Sequence, residues 1–212
     1  MTEIKNSYLI FILVLCNLIL YYLTNEFLIT DTLIKDHYSN QLSYDRILKL
    51  ISIKNEWSWV NYLLIPALQL IELSIVSFWI LCGSIIFNLN ITYKSIFKIV
   101  MIADFIWLLP SFFSLVWFGL FDTSHSLLEI QYFAPLSLLS IYDPSQLDSW
   151  LIFPLKSINI FEFIYLLVLA LGIKKITSKD YDSALKFTLP VYGSALIVWI
   201  LFITFLSINM TA

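Results

Sequence analysis

The sequence predicts an all-α protein: a polytopic transmembrane helical bundle of about five spans, with an amphipathic surface helix and an interfacial or re-entrant outer segment. Three observations carry that reading. Of the 212 residues, 60% are hydrophobic and only 13% charged, against about 45–50% and about 25% in an ordinary soluble domain. Mean hydropathy is +0.87, and no water-soluble fold of this size hides so much apolar surface. The apolar residues also fall in runs of roughly 20, the length a helix needs to cross a bilayer.

The spans are expected at about 8–28, 60–87, 96–121, 157–173 and 187–208. The first is preceded by Glu3 and Lys5 and followed by no small-x-small cleavage site, so it reads as an uncleaved anchor rather than a signal peptide. The second is long enough to cross with tilt, and the fourth lies near the short limit. Pro66, Pro110 and Pro190 lie inside the second, third and fifth spans, where a missing N–H and a ring clash bend a helix. No repeat and no Gly/Ser linker marks a boundary, so residues 1–212 form one transmembrane domain.

Two long connections lie on one side, 30–59 and 122–156. In the first, Tyr44, Ile47, Leu48 and Ile51 follow the spacing of one helical face, with Asp45, Arg46, Lys49 and Ser52 opposite. That pattern suits a helix lying on the membrane surface. The second connection is too apolar for an ordinary loop, and Pro135, Pro144 and Pro154 argue against a continuous span. Irregular backbone at membrane depth must be packed under protein, hence the interfacial or re-entrant expectation. Before the last span, Thr177 and Asp180 match the capping-box spacing, and Asp180 and Asp182 suit the first turn of the next helix.

Charge gives an expected orientation. The N-terminal side carries Lys5, Lys94, Lys98, Lys174, Lys175, Lys179 and Lys186 in short stretches. The other side carries Lys35, Arg46, Lys49, Lys54 and Lys156 over longer ones. The positive-inside rule then puts the N-terminus in the cytoplasm and the C-terminus outside. Trp57, Trp59, Trp117, Tyr132 and Trp150 would lie at the outer boundary as an aromatic belt. Low Gly with high Ile, Asn and Lys fits an AT-rich bacterium, and therefore a multi-pass protein of the inner (plasma) membrane.

An ionisable group inside a span is costly and marks a candidate site. Glu72 lies near mid-span, with Gln69 one turn away on the same face. Asp104 lies in the third span, and its helix and that of Glu72 are antiparallel neighbours. Glu162 lies toward the outer end of the fourth span, three residues after Asn159. Two carboxyls close together raise one pKa, so a proton or cation relay is one reading. The other is that each is a hydrogen-bonded acid joining helices or subunits. The structural reading weighs more, because no intramembrane Lys or Arg accompanies them.

Other chemistry finds little support. Cys16 and Cys82 sit in apolar runs and read as small hydrophobes. His37 and His125 lack a second ligand at helical spacing, so no metal is expected. Asp122, Ser124 and His125 are too close in sequence for triad geometry and read as a turn. With 4 Gly, one Arg and none of the usual catalytic motifs, nothing asks for an enzyme or a cofactor. A net charge of -3 leaves no basic field for nucleic acid. Gly119 and Gly172 read as helix stops, whereas Gly83-Ser84 and Gly193-Ser194 are small pairs suited to close helix approach.

The stretch Ile158-Asn159-Ile160-Phe161-Glu162-Phe163, running into Leu169-Ala170-Leu171-Gly172-Ile173, a short basic turn and a last span, resembles the close of YIP-family membrane proteins. The proline-bearing third span, Trp107 to Pro110, and the five-span, N-in, C-out count agree with it. The resemblance covers about residues 60–208. The long first outer connection and the scarcity of Gly depart from it. It implies a five-span fold and supplies no catalytic residues. The expected function is a non-enzymatic membrane subunit or scaffold, embedded in lipid and packing against another membrane protein of a transport, secretion or envelope complex. The alternative is a small ion-coupled carrier using Glu72 and Asp104. A third reading, an intramembrane enzyme, needs both acids and a hydroxyl in one cavity.

Overall fold

A computed structural model describes residues 6–211. Glu3 and Lys5 lie outside the described residues. Among those described, the secondary structure is helical apart from one isolated bridge, Ser137 to Asn159. Four helical stretches are long and apolar enough to cross a membrane: Asn6–Leu28, Tyr44–Ile86, Tyr93–Phe121 and Tyr181–Met210. The chain is thus a multi-pass membrane protein. The expected fourth span is shorter and more charged. Its helix has 18 residues, and these include Glu162, Lys174 and Lys175.

Helix α1 (Asn6–Leu23) continues through a wide turn, Thr24–Leu28, and packs against three later helices through the fully buried Leu13. A short α2 (Asp31–Tyr38) follows, capped by the Thr30 hydroxyl. Helix α3 (Tyr44–Ile86) then runs 43 residues without a break, about 65 Å at 1.5 Å per residue. The expected surface helix is therefore the N-terminal extension of the second span rather than a separate element. On it Ile47 and Ile51 pack under Ile34 of α2, whereas Tyr44 and Leu48 stay exposed. Lys54 fastens the two helices through an ion pair with Asp31 (3.5 Å) and a bond to the Ile29 carbonyl.

After a turn with Asn88 at φ 52°, helix α4 (Tyr93–Asp104) passes through a tight turn, Phe105–Trp107, into α5 (Leu108–Val116). Pro110 explains that turn: its ring excludes the carbonyl four residues back, at Ile106, and it has no N–H to offer. A short α6 (Leu127–Tyr132) starts on a complete capping box between Ser126 and Glu129. Helix α7 (Ser149–Ser157) and α8 (Ile160–Thr177) follow, then α9 (Tyr181–Thr211). The cap of α9 is Asp180, whose carboxylate accepts from Ser183 N, so Thr177 plays no part in a box there.

The lower part of the bundle is a ring in which α3 touches α4 and α9, and α8 touches the same two. Its centre is filled by Leu73, Ile80, Val100, Met101, Leu169, Ile173 and Val191. Gly172 is no helix stop: it lies inside α8, where an added Cβ would overlap the Ile99 side chain. Gly83 meets Val191 in the same way, while a Cβ on Gly193 would meet nothing. The upper part is more open. Helix α7 lies along α9, but among the described residues neither α3 nor α5 packs closely on it.

Candidate functional site

Four of the five polar side chains predicted from the sequence gather in two places, Gln69 with Asp104 and Asn159 with Glu162, each beside a helix interruption. Asp104 is the last residue of α4, before the tight turn that Pro110 imposes. It is buried, and Gln69 Nε2 of α3 donates to its Oδ2 at 3.1 Å. The neighbour expected for Asp104 was Glu72. The residue bonded to it is Gln69, whose other amide atom, Oε1, is buried with no donor among the described residues. An orphaned carbonyl of this kind costs about 1–3 kcal/mol. The pair has two self-consistent states. In one the amide donates to the carboxyl, as seen; in the other, with Asp104 protonated, the amide turned over accepts from it.

Glu162 stands at the second interruption. Helix α7 stops at Ser157, and Asn159 caps α8 by accepting from Glu162 N at 2.8 Å. The backbone groups freed by the break are met by an extended strap: Leu138 N donates to Ile158 O, and Ile160 N donates to Leu136 O. Irregular backbone is thus satisfied inside protein. Leu136 takes φ 58° to form the strap. The Glu162 carboxyl is buried and accepts from Tyr192 Oη of α9 at 2.5 Å. It lies about 17 Å along α8 from Ile173, at 1.5 Å per residue.

Tyr165 sits between these groups. It is buried, its ring packs on Trp107 and Tyr192 at 6.0 and 5.1 Å, and it lies within electrostatic reach of Asp104, Glu72 and Glu162. Sequence reasoning missed both tyrosines. The available signal was a phenol within an apolar run, since a buried Tyr O–H needs a partner.

Glu72 is placed differently. It is exposed on the flank of α3, within electrostatic reach of Asp104 and Glu162. Lower on the same flank, α3 meets α9 closely: Gly83 against Val191, and Trp79 Nε1 donating to Ser194 Oγ at 3.2 Å. Above that bond the two helices part. Val198, Leu201 and Phe205 continue the α9 face that carries Phe187, Val191 and Ser194, yet all three are exposed. Leu68 and Ile75 flank Glu72 and are exposed as well. The result is a groove between the upper halves of α3 and α9, apolar except for Glu72, with Trp79 and Ser194 at its floor.

Comparison with known proteins finds no matching family model, no matching curated protein and no matching solved structure. The chemistry of the site therefore rests on its own geometry. Among the described residues no three His, Cys, Asp or Glu side chains converge at metal-binding range. His125 Nδ1 bonds the Asp122 carbonyl at 2.7 Å, the turn expected there. Both cysteines are free.

Proposed function

We propose that this protein is a non-enzymatic subunit of a membrane complex, and that the α3/α9 groove receives a spanning helix of its partner. The observation that carries the reading is Glu72. A carboxyl open to the hydrocarbon at mid-span is expensive, and such groups face protein or water rather than lipid. The groove around it is apolar, and a partner helix with a hydroxyl, amide or amine opposite Glu72 would cover both. The resemblance to the YIP family, whose eukaryotic members interact with Rab GTPases, points the same way.

On this reading α7 and α8 together make the fourth of five crossings. Helix α9 packs against both, so the broken pair accompanies one continuous span. The strap at residues 136–138 then fills the break from the outer side as a re-entrant segment. The lysine-rich ends of α4, α8 and α9 face the cytoplasm of the plasma membrane under the positive-inside rule.

The test is site-specific crosslinking in native membranes. A photoreactive residue at Ile75, in the groove, is expected to give one discrete product, and Leu63, on the opposite flank, to give none. Glu72→Leu should abolish the Ile75 product while leaving expression unchanged. Equal crosslinking from both positions, or a product that survives Glu72→Leu, would sink the proposal.

A second reading has its own observation. Asp104 and Glu162 each sit at a helix interruption and are held by neutral donors, Gln69 and Tyr192. Discontinuous helices at mid-membrane mark ion-coupled carriers. A carrier would show proton-dependent uptake in liposomes that is lost in Asp104→Asn, whether or not a partner is present.

A further inference from the structure

We propose that the lysine-rich end of the bundle holds a binding site for an anionic phospholipid headgroup, built where α3 and α8 end and α9 begins. This does not depend on the groove or on any partner.

A cavity of about 180 Å³ opens there. Its apolar half is made by Phe87, Leu89, Ile173 and Phe187. Its polar half is made by Lys179 and Lys186, beside Thr177 and Ser183, whose hydroxyls are engaged with the Ile173 carbonyl and the Asp180 carboxylate. Neither lysine forms an ion pair among the described residues, where the ion pair formed is Lys54 with Asp31, at the far end of α3. Lys174 and Lys175 in the last turn of α8 add to the same field. The opposing charges nearby are Asp180 and Asp182. Asp180 is engaged as the cap of α9, and bonds from the Ser183 side chain and then from its N–H hold its carboxyl below the usual range, with Lys186 adding a smaller effect. No carboxylate lines the cavity itself.

The division into halves identifies the ligand. Two ammonium groups suit a phosphate. Phe87 and Phe187, packed edge to face at 5.3 Å, carry the apolar wall on toward the hydrocarbon, where an acyl chain would lie. A basic pocket between span ends, open to the bilayer edge, is the form lipid-phosphate sites take. Free phosphate shares the polar chemistry but uses none of the apolar wall, which favours the lipid.

The experiment uses the full-length protein in mild detergent with mixed micelles of phosphatidylglycerol or phosphatidylcholine, read by thermal midpoint and by lipid retained in native mass spectrometry. Phosphatidylglycerol is expected to raise the midpoint by several degrees and to be retained about tenfold over phosphatidylcholine, a difference of about 1.4 kcal/mol. The double variant K179Q/K186Q should lose that preference, and K179R/K186R should keep it. K94Q/K98Q, which removes the same charge from α4, should also keep it. Loss in K94Q/K98Q equal to that in K179Q/K186Q would mean general surface charge and overturn the site. An equal midpoint shift from millimolar inorganic phosphate alone would overturn the lipid assignment, as would no preference in the wild type.

Discussion

At the scale of single residues, the bundle depends on a few close approaches. Gly172 of α8 admits the Ile99 side chain of α4, and Gly83 of α3 admits Val191 of α9. Gly172→Leu should therefore destabilise the protein by about 1–3 kcal/mol, the usual cost of overpacking. Gly193→Leu should change little, since nothing lies within reach of its Cβ. Thermal midpoints of the two variants in detergent decide the matter; equal values would refute the packing argument. Buried polar pairs follow a different rule. Tyr192→Phe strips Glu162 of its donor and should cost about 1 kcal/mol, the scale measured for hydrogen bonds inside membranes. The double variant Tyr192→Phe/Glu162→Leu should cost less than the two single effects added, because it leaves no orphan. The sequence made Glu162, Asn159, Gln69 and Asp104 visible because polar atoms in an apolar run stand out. It left Tyr192, Tyr165 and the role of Gly172 unseen. Their importance depends on what the neighbouring helix brings, and helical spacing within one segment says nothing of that.

At the scale of elements, the long apolar runs were legible and their joints were not. Each of the four long helices begins or ends within a few residues of the expected span, apart from the N-terminal extension of α3. The surface segment near Tyr44 showed its helical period, but nothing in that period marked its continuity with the second span. Pro66 lies inside α3 without ending it, whereas Pro110 coincides with a change of helix type. The joint at Asn159 was half legible, since Asn three residues before Glu is a cap signal. The strap that completes it comes from residues 136–138, and no local pattern could announce that pairing. Helix α6 offers a test at this scale. The Ser126 N–H donates to Glu129 Oε2 at 2.6 Å, and this backbone bond, with that of the Ser126 hydroxyl, holds the Glu129 carboxyl below its usual range. A carboxyl with a lowered folded pKa contributes stability above its unfolded value, and that contribution is lost as pH falls through the folded value. Amide protection of residues 127–132 should therefore decline as pH falls below about 4.3, the ordinary Glu value. Glu129→Gln should flatten the profile. A decline that persists in Glu129→Gln would place the cause elsewhere.

At the scale of the whole molecule, the question is how many times the chain crosses. Four helices are long and apolar enough alone; the fifth crossing of the proposal is shared between α7 and α8. The two arrangements differ in one observable. If α7 and α8 cross together, residues 145 and 178 lie on opposite faces of the membrane. If they do not, those residues share a face. Ser145 is exposed in the turn before α7, and Ser178 is exposed at the end of α8, so each can carry a probe. In a background of Cys16→Ser and Cys82→Ser, single cysteines at 145 and 178 can be labelled in intact cells with an impermeant maleimide. Ser145→Cys is expected to react from outside and Ser178→Cys only after permeabilisation. Asn90→Cys, in the α3–α4 turn, should behave like 178, because the helices that separate them cross as a pair. Labelling of 145 and 178 from the same side would remove the fifth crossing. Helix α9, which leaves from residue 181, would then end on the same face as the N-terminus, and the positive-inside argument would have to be made again with the cations of α8 at the other surface. Opposite labelling would instead leave Glu162 and its Tyr192 bond inside the bilayer, where a broken helix without its strap would expose unpaired backbone to lipid.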